Sequence, residues 1–597
     1  MAEMVQEATG AENVLWDLSE LYKGIDDPAI ERDLKDVLAR ADQFAERYRG
    51  KVASLSATEL AEAQTATEAL SEQFGRLINY ASLQWNTDTG NAAFGALLQR
   101  MREAGSQFQQ KLLFFDLEWA HIPEDHVKIV DDPALARWRH YLLKALDMRP
   151  HLLSEPEEKI LAEKAVTGSG AWARYYAEVL GAARYDLDGQ QVPQEIVLNK
   201  LYSGDRDLRR RAADALTEGL RRMLPTTTYI FNTSLADKAS DDRLRNFPTW
   251  ISSRNLDNEA SDETVDALVK AVTSRYDIVA RYYKIKRQLL GLDELYDYDR
   301  YAPLETRETR YQWSQAREIV LNAYNAFHPQ MAEIAGQFFD KKWIHAPAVP
   351  GKRGGAFAAP TIPSLHPYVF LNYTGSDKDV MTLAHELGHG IHMYLSRPKG
   401  ALEAGTPLTT AEMASVFGEM LVFNDLMQRE PDPAVRLSML ARKLEDSFAT
   451  IFRQISMNRF EDAIHTARRS EGELSRERYS ELWLKTQRDM FQDSVTMRDD
   501  YGIWWSYVSH FINVPGYVYA YAFGNLLVLA LFNKYQTEGA SFAPKYLEVL
   551  SSGGADRPEN ILRKAGVDLT DPNFWQQGLT ILDGMVNDLE ALVKARK

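Results

Sequence analysis

Along most of the chain, apolar residues recur every three or four positions. Residues 27–50, 57–80 and 92–120 show this spacing most cleanly, which predicts three amphipathic helices, each with one buried face. Asp88-Thr89-Gly90-Asn91 supplies the turn between the second and third, so an antiparallel hairpin or bundle is expected. Ile122-Pro123 ends the third helix. The spacing returns over 133–146 and 154–166, with Ser154 as N-cap and Pro156 in the first turn. It is lost over 167–195, where Asp188-Gly189 reads as the turn of a loop or short hairpin. A domain boundary is placed near 190–200. Further helices are expected over 203–240, 260–290, 308–340, 410–428, 432–468 and 475–493, with a Tyr- and Asp-rich loop at 293–304. The 541–595 region is helical with a break at SSGGADRP. No repeat of fixed period is present.

The texture changes at 343–375. Proline and glycine dominate first. Then Tyr368-Val369-Phe370-Leu371-Asn372-Tyr373 forms the best β candidate of the chain, with Gly354–Phe357 as a neighbouring strand or loop. Residues 376–396 follow as a helix, its start marked by Ser376 and Asp379 as a capping box and its end by Pro398. This helix reads HELGH at 385–389. His385 and His389, four apart, lie one turn above the other on the same face and can reach one metal ion. Glu386 is rotated off that face, where it suits a general base acting on water.

A catalytic zinc takes three protein ligands and keeps one position open. A metzincin would place a glycine and a histidine where this chain has His392 and Leu395, so that class is excluded. A carboxylate from a later segment is the better third ligand, and Glu403, Glu412 and Glu419 compete. Glu412, Ser415 and Glu419 share one helical face. Glu412 also fits a capping box with Thr409, and spacing alone leaves Glu412 and Glu419 level as ligands. His392, one turn beyond His389, is either a structural residue or a support to the site. In the aromatic stretch 499–533, His510, Tyr517, Tyr519 and Tyr521 carry donors suited to an oxyanion, or else they pack a core. Their spacing of two is strand-like, and Gly516 and Gly524 leave the conformation open.

Composition narrows the field. The 597 residues carry a formal charge of −16 and a pI near 5.4, a poor match to general nucleic-acid binding. There is no cysteine, which excludes disulfides, thiolate zinc sites and cysteine nucleophiles. The first residues lack the basic and apolar regions of a signal peptide, and the longest apolar run, 526–532, is far short of a membrane span. A soluble cytoplasmic protein is expected, without nucleic-acid or membrane partners.

Several stretches together resemble the M3 metallopeptidases of the oligoendopeptidase F type. These are WDLSELY at 16–22, LSEPEEKILAEKAVTGSGAW at 153–172, PGKRGGAF at 350–357, the run from Pro367 to His392, TAEMASVFGE at 410–419 and HFINVPGYVYAYAFG at 510–524. The resemblance implies a mainly α fold: a large helical ellipsoid with a small β-sheet beside the HELGH helix and a deep substrate channel. It implies an N-terminal helical domain over 1–195 and a catalytic domain over 196–597. It implies one Zn2+ per chain held by His385, His389 and Glu412, with Glu419 supporting a ligand histidine and Glu386 as general base. His510, Tyr517, Tyr519 and Tyr521 would bind substrate and stabilise the transition state. The expected activity is cleavage of internal bonds in short oligopeptides. The alternatives are a metallocarboxypeptidase or dipeptidyl exopeptidase on a similar scaffold, and a peptide-binding protein with structural zinc.

Overall fold

The computed structural model describes residues 8–165, 167–304 and 310–595. It is mainly helical, with five short strands among the described residues: β1 (Tyr185–Leu187), β2 (Gln190–Val192), β3 (Ile344–Pro347), β4 (Phe357–Ala359) and β5 (Tyr368–Tyr373). The described residues group into two compact units. One takes the segments Met1–Arg149, Glu308–Arg429 and Lys534–Asp568. The other takes Pro150–Arg307, Glu430–Asn533 and Leu569–Lys597.

In the first unit, helices Pro28–Tyr48, Ala57–Thr87 and Ala92–Ala120 pack on one another. Ile30, Leu34, Val37, Ala41, Phe44 and Tyr48 form the buried stripe of the first, at the expected spacing. The second runs seven residues beyond the expected end and stops at Asp88. Asn91 then caps the third, its Oδ1 accepting from Ala93 and Phe94 N–H. The single helix expected over 308–340 is instead two, Trp313–Phe327 and Pro329–Asp340, and its residues 308 and 309 lie outside the described ones. Pro329 has no N–H to continue the first ladder but suits the first position of the second, and His328 is extended between them.

The sheet order is β3-β5-β4. β5 is central, parallel to β3 and antiparallel to β4, and Tyr368 to Leu371 are buried. The expected strand is therefore present, and of the stretch 354–357, read as strand or loop, only Phe357 enters a strand, β4. β3 lies in the Pro- and Gly-rich stretch, where no strand was expected. Lys352 staples the intervening loop to the sheet. Its Nζ donates to the carbonyls of Pro347, at 2.6 Å, and Leu371, and it sits 4.3 Å above the Phe370 ring.

In the second unit, helix Arg206–Leu244 runs 39 residues with Pro225 inside it. It packs against the aromatic stretch, where Trp504 donates to Thr217 Oγ1 at 3.0 Å and Phe231 meets Trp505 edge-on at 4.8 Å. β1 and β2 form the expected hairpin, turning at Asp188-Gly189 with positive φ at both residues. The stretch before it holds a helix, Ser169–Ala182, which the loss of periodicity concealed. The expected 432–468 helix is interrupted by a π turn at Phe448–Phe452 between Pro433–Ser447 and Arg453–Glu471.

Glu461 is fully buried in this unit. Its Oε1 accepts the Gly516 N–H at 2.8 Å, and its Oε2 has no partner among the described residues. Burial pushes its carboxyl up to about 8, against the pull of the Gly516 N–H and Arg254. The unfolded carboxyl titrates near 4.5. Between these values the folded chain binds more protons than the unfolded one, so its contribution to stability is full below 4.5 and is lost as pH rises through 8. Glu461→Gln is expected to melt with the wild type at pH 4.5 and at least about 2 °C higher at pH 8.5, read by calorimetry.

Candidate metal centre

The first unit positions the candidate ligands. Helix Asp377–Ser396 begins where β5 ends. Asp379 N–H donates to Ser376 Oγ at 3.2 Å, and the Asp379 carboxylate accepts from the N–H groups of Ser376 and Thr374, each at 3.0 Å. A cap of this kind contributes about 1 kcal/mol. Val380, Leu383, Ala384, Leu387 and Ile391 are buried, and this stripe fixes the helix rotation. His385 and His389 then face a cavity of about 660 Å³, their ring centroids 4.8 Å apart.

Glu412 meets them from the junction between the helical turn Leu408–Ala411 and helix Met413–Arg429. Its Oε2 lies 3.3 Å from His385 Nε2 and 3.4 Å from His389 Nε2, and Ser415 Oγ donates to the same oxygen at 2.7 Å. Burial works to raise the Glu412 carboxyl, but the hydrogen bond from His389 and the charges of both histidines bring it down to about 2. One ligand atom from each of the three residues lies within 4.8 Å of the others. Two turns on, Glu419 Oε1 is 2.6 Å from His385 Nδ1. With Nδ1 donating to Glu419, the lone pair of Nε2 points toward Glu412 and His389. Two imidazole nitrogens and one carboxylate, backed by a second carboxylate and open to a cavity, form a donor set that fits zinc.

Glu386 lines the same cavity. It is 6% exposed, and its Oε2 is buried without a partner among the described residues. Burial raises its carboxyl above the ordinary range, against the pull of His385 and His389. His392 also lines the cavity. It is buried with Nε2 unpartnered among the described residues, and burial together with His389 lowers it to about 4, so it is neutral. Glu403 lies elsewhere: its Oε1 accepts the Tyr141 N–H at 3.0 Å.

Two glycines that spacing arguments passed over make this geometry possible. A Cβ on Gly388 would stand 2.4 Å from Ala414 O and 2.7 Å from Ser415 Cα. One on Gly418 would stand 2.4 Å from Tyr324 Oη and 3.1 Å from Ala384 O. The two helices therefore touch backbone to backbone, and Tyr324 Oη donates to the Ala384 carbonyl at 2.6 Å beside the contact. The only sequence signal was a pair of glycines next to metal-facing positions.

The second unit holds the aromatic candidates. The segment is helical, not strand-like: a 3-10 run Asp499–Tyr507, a turn His510–Asn513 and helix Tyr519–Glu538. His510 Nε2 and Tyr521 Oη are 3.4 Å apart, and the rings of Tyr517 and Tyr521 are 5.1 Å apart. These three sit together, with Tyr521 exposed. Tyr519 points the other way, fully buried, its hydroxyl accepting from Asn258 Nδ2 at 2.9 Å.

A family model described as peptidase family M3 matches residues 199–581. This chain belongs to peptidase family M3. It is therefore a metal-dependent peptidase. A second model, oligopeptidase F, matches residues 118–185. Among M3 relatives, the chain is 28% identical over 557 residues to oligopeptidase PepF of Bacillus subtilis (strain 168), covering 92% of this chain and 83% of that protein. It is 24% identical over 593 residues to the group B oligopeptidase PepB of Streptococcus agalactiae serotype III, covering 98% and 97%. A crystal structure of a Chlamydophila abortus protein superposes with a TM-score of 0.88 at 24% identity, over 97% of this chain and 98% of that one. Oligoendopeptidase-F from Enterococcus faecium superposes at 0.70 with 23% identity, over 95% and 98%. The mainly helical fold with small sheets is thus that of oligoendopeptidase F structures. No described helix is long and apolar enough to cross a membrane.

Because His385, His389 and Glu412 depend on the Gly388 contact, Gly388→Ala is expected to lower divalent-metal affinity about 10- to 100-fold, read by chelator competition. Glu419→Gln is expected to lower it over the same range through His385 alone, without the loss of thermal stability that separating the helices brings.

Proposed function

We propose that this protein is a zinc-dependent endopeptidase that hydrolyses internal bonds of short oligopeptides. The observation that carries this reading is the convergence of His385, His389 and Glu412 on one point beside a cavity. His385 and His389 would hold zinc through Nε2, and Glu412 through Oε2. When bound, zinc supplies Lewis acidity, acidifying water and polarising a carbonyl. Glu386, with one oxygen unpartnered and facing the cavity, takes the proton from the attacking water and passes it to the leaving amine nitrogen. Glu419 keeps His385 in the tautomer that presents Nε2. Neutral His392 closes the cavity wall.

His510 and the hydroxyls of Tyr517 and Tyr521 donate to the substrate and its oxyanion. Tyr519, bonded to Asn258, supports that segment from within. The substrate backbone pairs with β4. Among the described strands both edges of β5 are filled, whereas β4 has one free edge, and Ala356, Phe357 and Ala358 line the cavity. The names of the relatives, oligopeptidase and oligoendopeptidase F, support short peptides and internal cleavage. The separate matches over 118–185 and 199–581 support a module boundary near residue 195. A cytoplasmic location and the lack of a membrane partner are part of this reading, and the lack of a nucleic-acid partner accords with the net charge of −16.

A peptide blocked at both ends tests the reading. Internal cleavage is expected by mass spectrometry, abolished by chelator and restored by zinc. Release of terminal fragments alone, and only from unblocked peptides, would move the assignment to an exopeptidase. Glu386→Gln is expected to retain one zinc per chain while kcat/KM falls by about 10³ or more. Full activity in that variant would remove Glu386 from the mechanism.

A further inference from the structure

The cavity beside His385 and His389 lies within the first unit and follows one helix. His385, His389, His392 and Ser396 line it at spacings of four, three and four, so they share a face of Asp377–Ser396. Arg397, the C-cap of that helix, lines it where the helix ends. Ala401, Ala404 and Gly405 carry the wall onward and leave space: a Cβ on Gly405 would meet nothing within 4 Å. Among the described residues Arg397 is the one lysine or arginine on this wall.

The Arg397 side chain is half-buried and held on three sides. Its guanidinium carbon sits 3.8 Å from the Tyr394 ring centroid, Nε donates to the Tyr394 carbonyl at 3.1 Å, and Nη1 donates to the Leu365 carbonyl. The helix end accounts for the Nε bond, since the last carbonyls of a helix lack partners of their own. Nη2 is left over: it has no partner among the described residues, and no carboxylate of those residues pairs with Arg397. Carboxylates of neighbouring segments are engaged elsewhere. Glu68 pairs with Arg137 at 2.8 Å, Glu403 accepts the Tyr141 N–H at 3.0 Å, and Glu20 lies 3.2 Å from His366 Nε2. Glu72, from helix Ala57–Thr87, lines the same cavity without forming an ion pair with Arg397. A guanidinium already fixed by a ring and two carbonyls has spent its rotamer freedom, so an incoming anion gains a charge-assisted hydrogen bond at little further entropy cost. Arg397 follows His389 by eight residues, about 12 Å along a helix, which an extended peptide spans in about three or four residues.

We propose that Arg397 binds a carboxylate of the peptide substrate through Nη2, at the end of the cavity where the histidine helix stops. This rests on the peptidase reading and adds a charge preference to it. The carboxylate is either the peptide's C-terminus or an Asp or Glu side chain, about three or four residues from the bond that is cut.

Two sets of peptide pairs separate these sources: one sequence as free C-terminal acid or amide, and one amidated sequence carrying Glu or Gln at each position in turn. In the zinc-loaded wild type, the carboxylate member of one pair is expected to show a KM at least about tenfold lower, with kcat alike for both members. The pair that shows it names the source. Arg397→Gln should raise KM for that member to the level of its neutral twin, and Arg397→Lys should recover part of the difference. A role confined to capping the helix would instead weaken both members of every pair equally. That outcome, or equal KM values within all pairs in the wild type, would overturn the proposal. Calorimetric binding of the same peptides to the Glu386→Gln enzyme needs no turnover. A preference for the carboxylate there upholds the site even where cleavage fails, and cleavage failure in the wild type counts against the peptidase reading alone. Should Arg397→Gln not fold, the acid-to-amide and Glu-to-Gln ratios in the wild type and in Arg397→Lys decide.

Discussion

Gly388 and Ala414 meet backbone to backbone, and the candidate metal centre follows from that contact. A side chain of any size at 388 would stand inside the Ala414 carbonyl. The missing Cβ lets helix Met413–Arg429 lie against helix Asp377–Ser396, which brings both Glu412 and Glu419 within reach of the histidines. Gly418 repeats the device one turn later, where Tyr324 fills the space and binds the Ala384 carbonyl. The contact is steric, so it admits little compromise: close-packed interiors transmit a displacement of even one methyl group.

The same approach concentrates charge. Glu386, Glu412 and Glu419 crowd around two imidazoles, and their mutual repulsion adds to the burial that lifts Glu386. An arrangement with this excess of negative charge is stabilised by a divalent cation at its centre. Removal of either histidine would leave carboxylates facing one another in a half-buried site.

Much of this was legible in the sequence. HELGH named two metal-facing histidines and a base position. Ser376 and Asp379 marked the helix start, and a short apolar run after the Pro- and Gly-rich stretch marked β5. The stripe from Ile30 to Tyr48 gave the first helix almost to the residue. What was hidden depends on contacts distant in the chain. β3 exists because a parallel partner arrives more than twenty residues later, and no local pattern in Ile344–Pro347 announces it. Spacing could not separate Glu412 from Glu419, because Gly388 decides how far along its neighbour each carboxylate falls. The tyrosines from 517 to 521 have a strand-like spacing of two, with Gly516 and Gly524 leaving the conformation open, and the chain turns helical there. Positions 517 and 521 therefore share a side while 519 turns to the core. The break at Pro329 was the exception: a local rule would have found it, and the apolar spacing on both sides masked it.

The short link between β5 and the histidine helix has a further consequence. Only Thr374, Gly375 and Ser376 separate strand from helix, and the Asp379 carboxylate ties two of them down. On the proposed pairing of substrate with β4, the sheet serves as a ruler with its zero at His385 and His389. A chain laid along β4 can change register only in steps of two residues, about 6.8 Å, if the same side chains are to face inward. On such a ruler the scissile position is counted in dipeptides, and a substrate one residue longer must bulge or shift its ends without moving the bond that is cut.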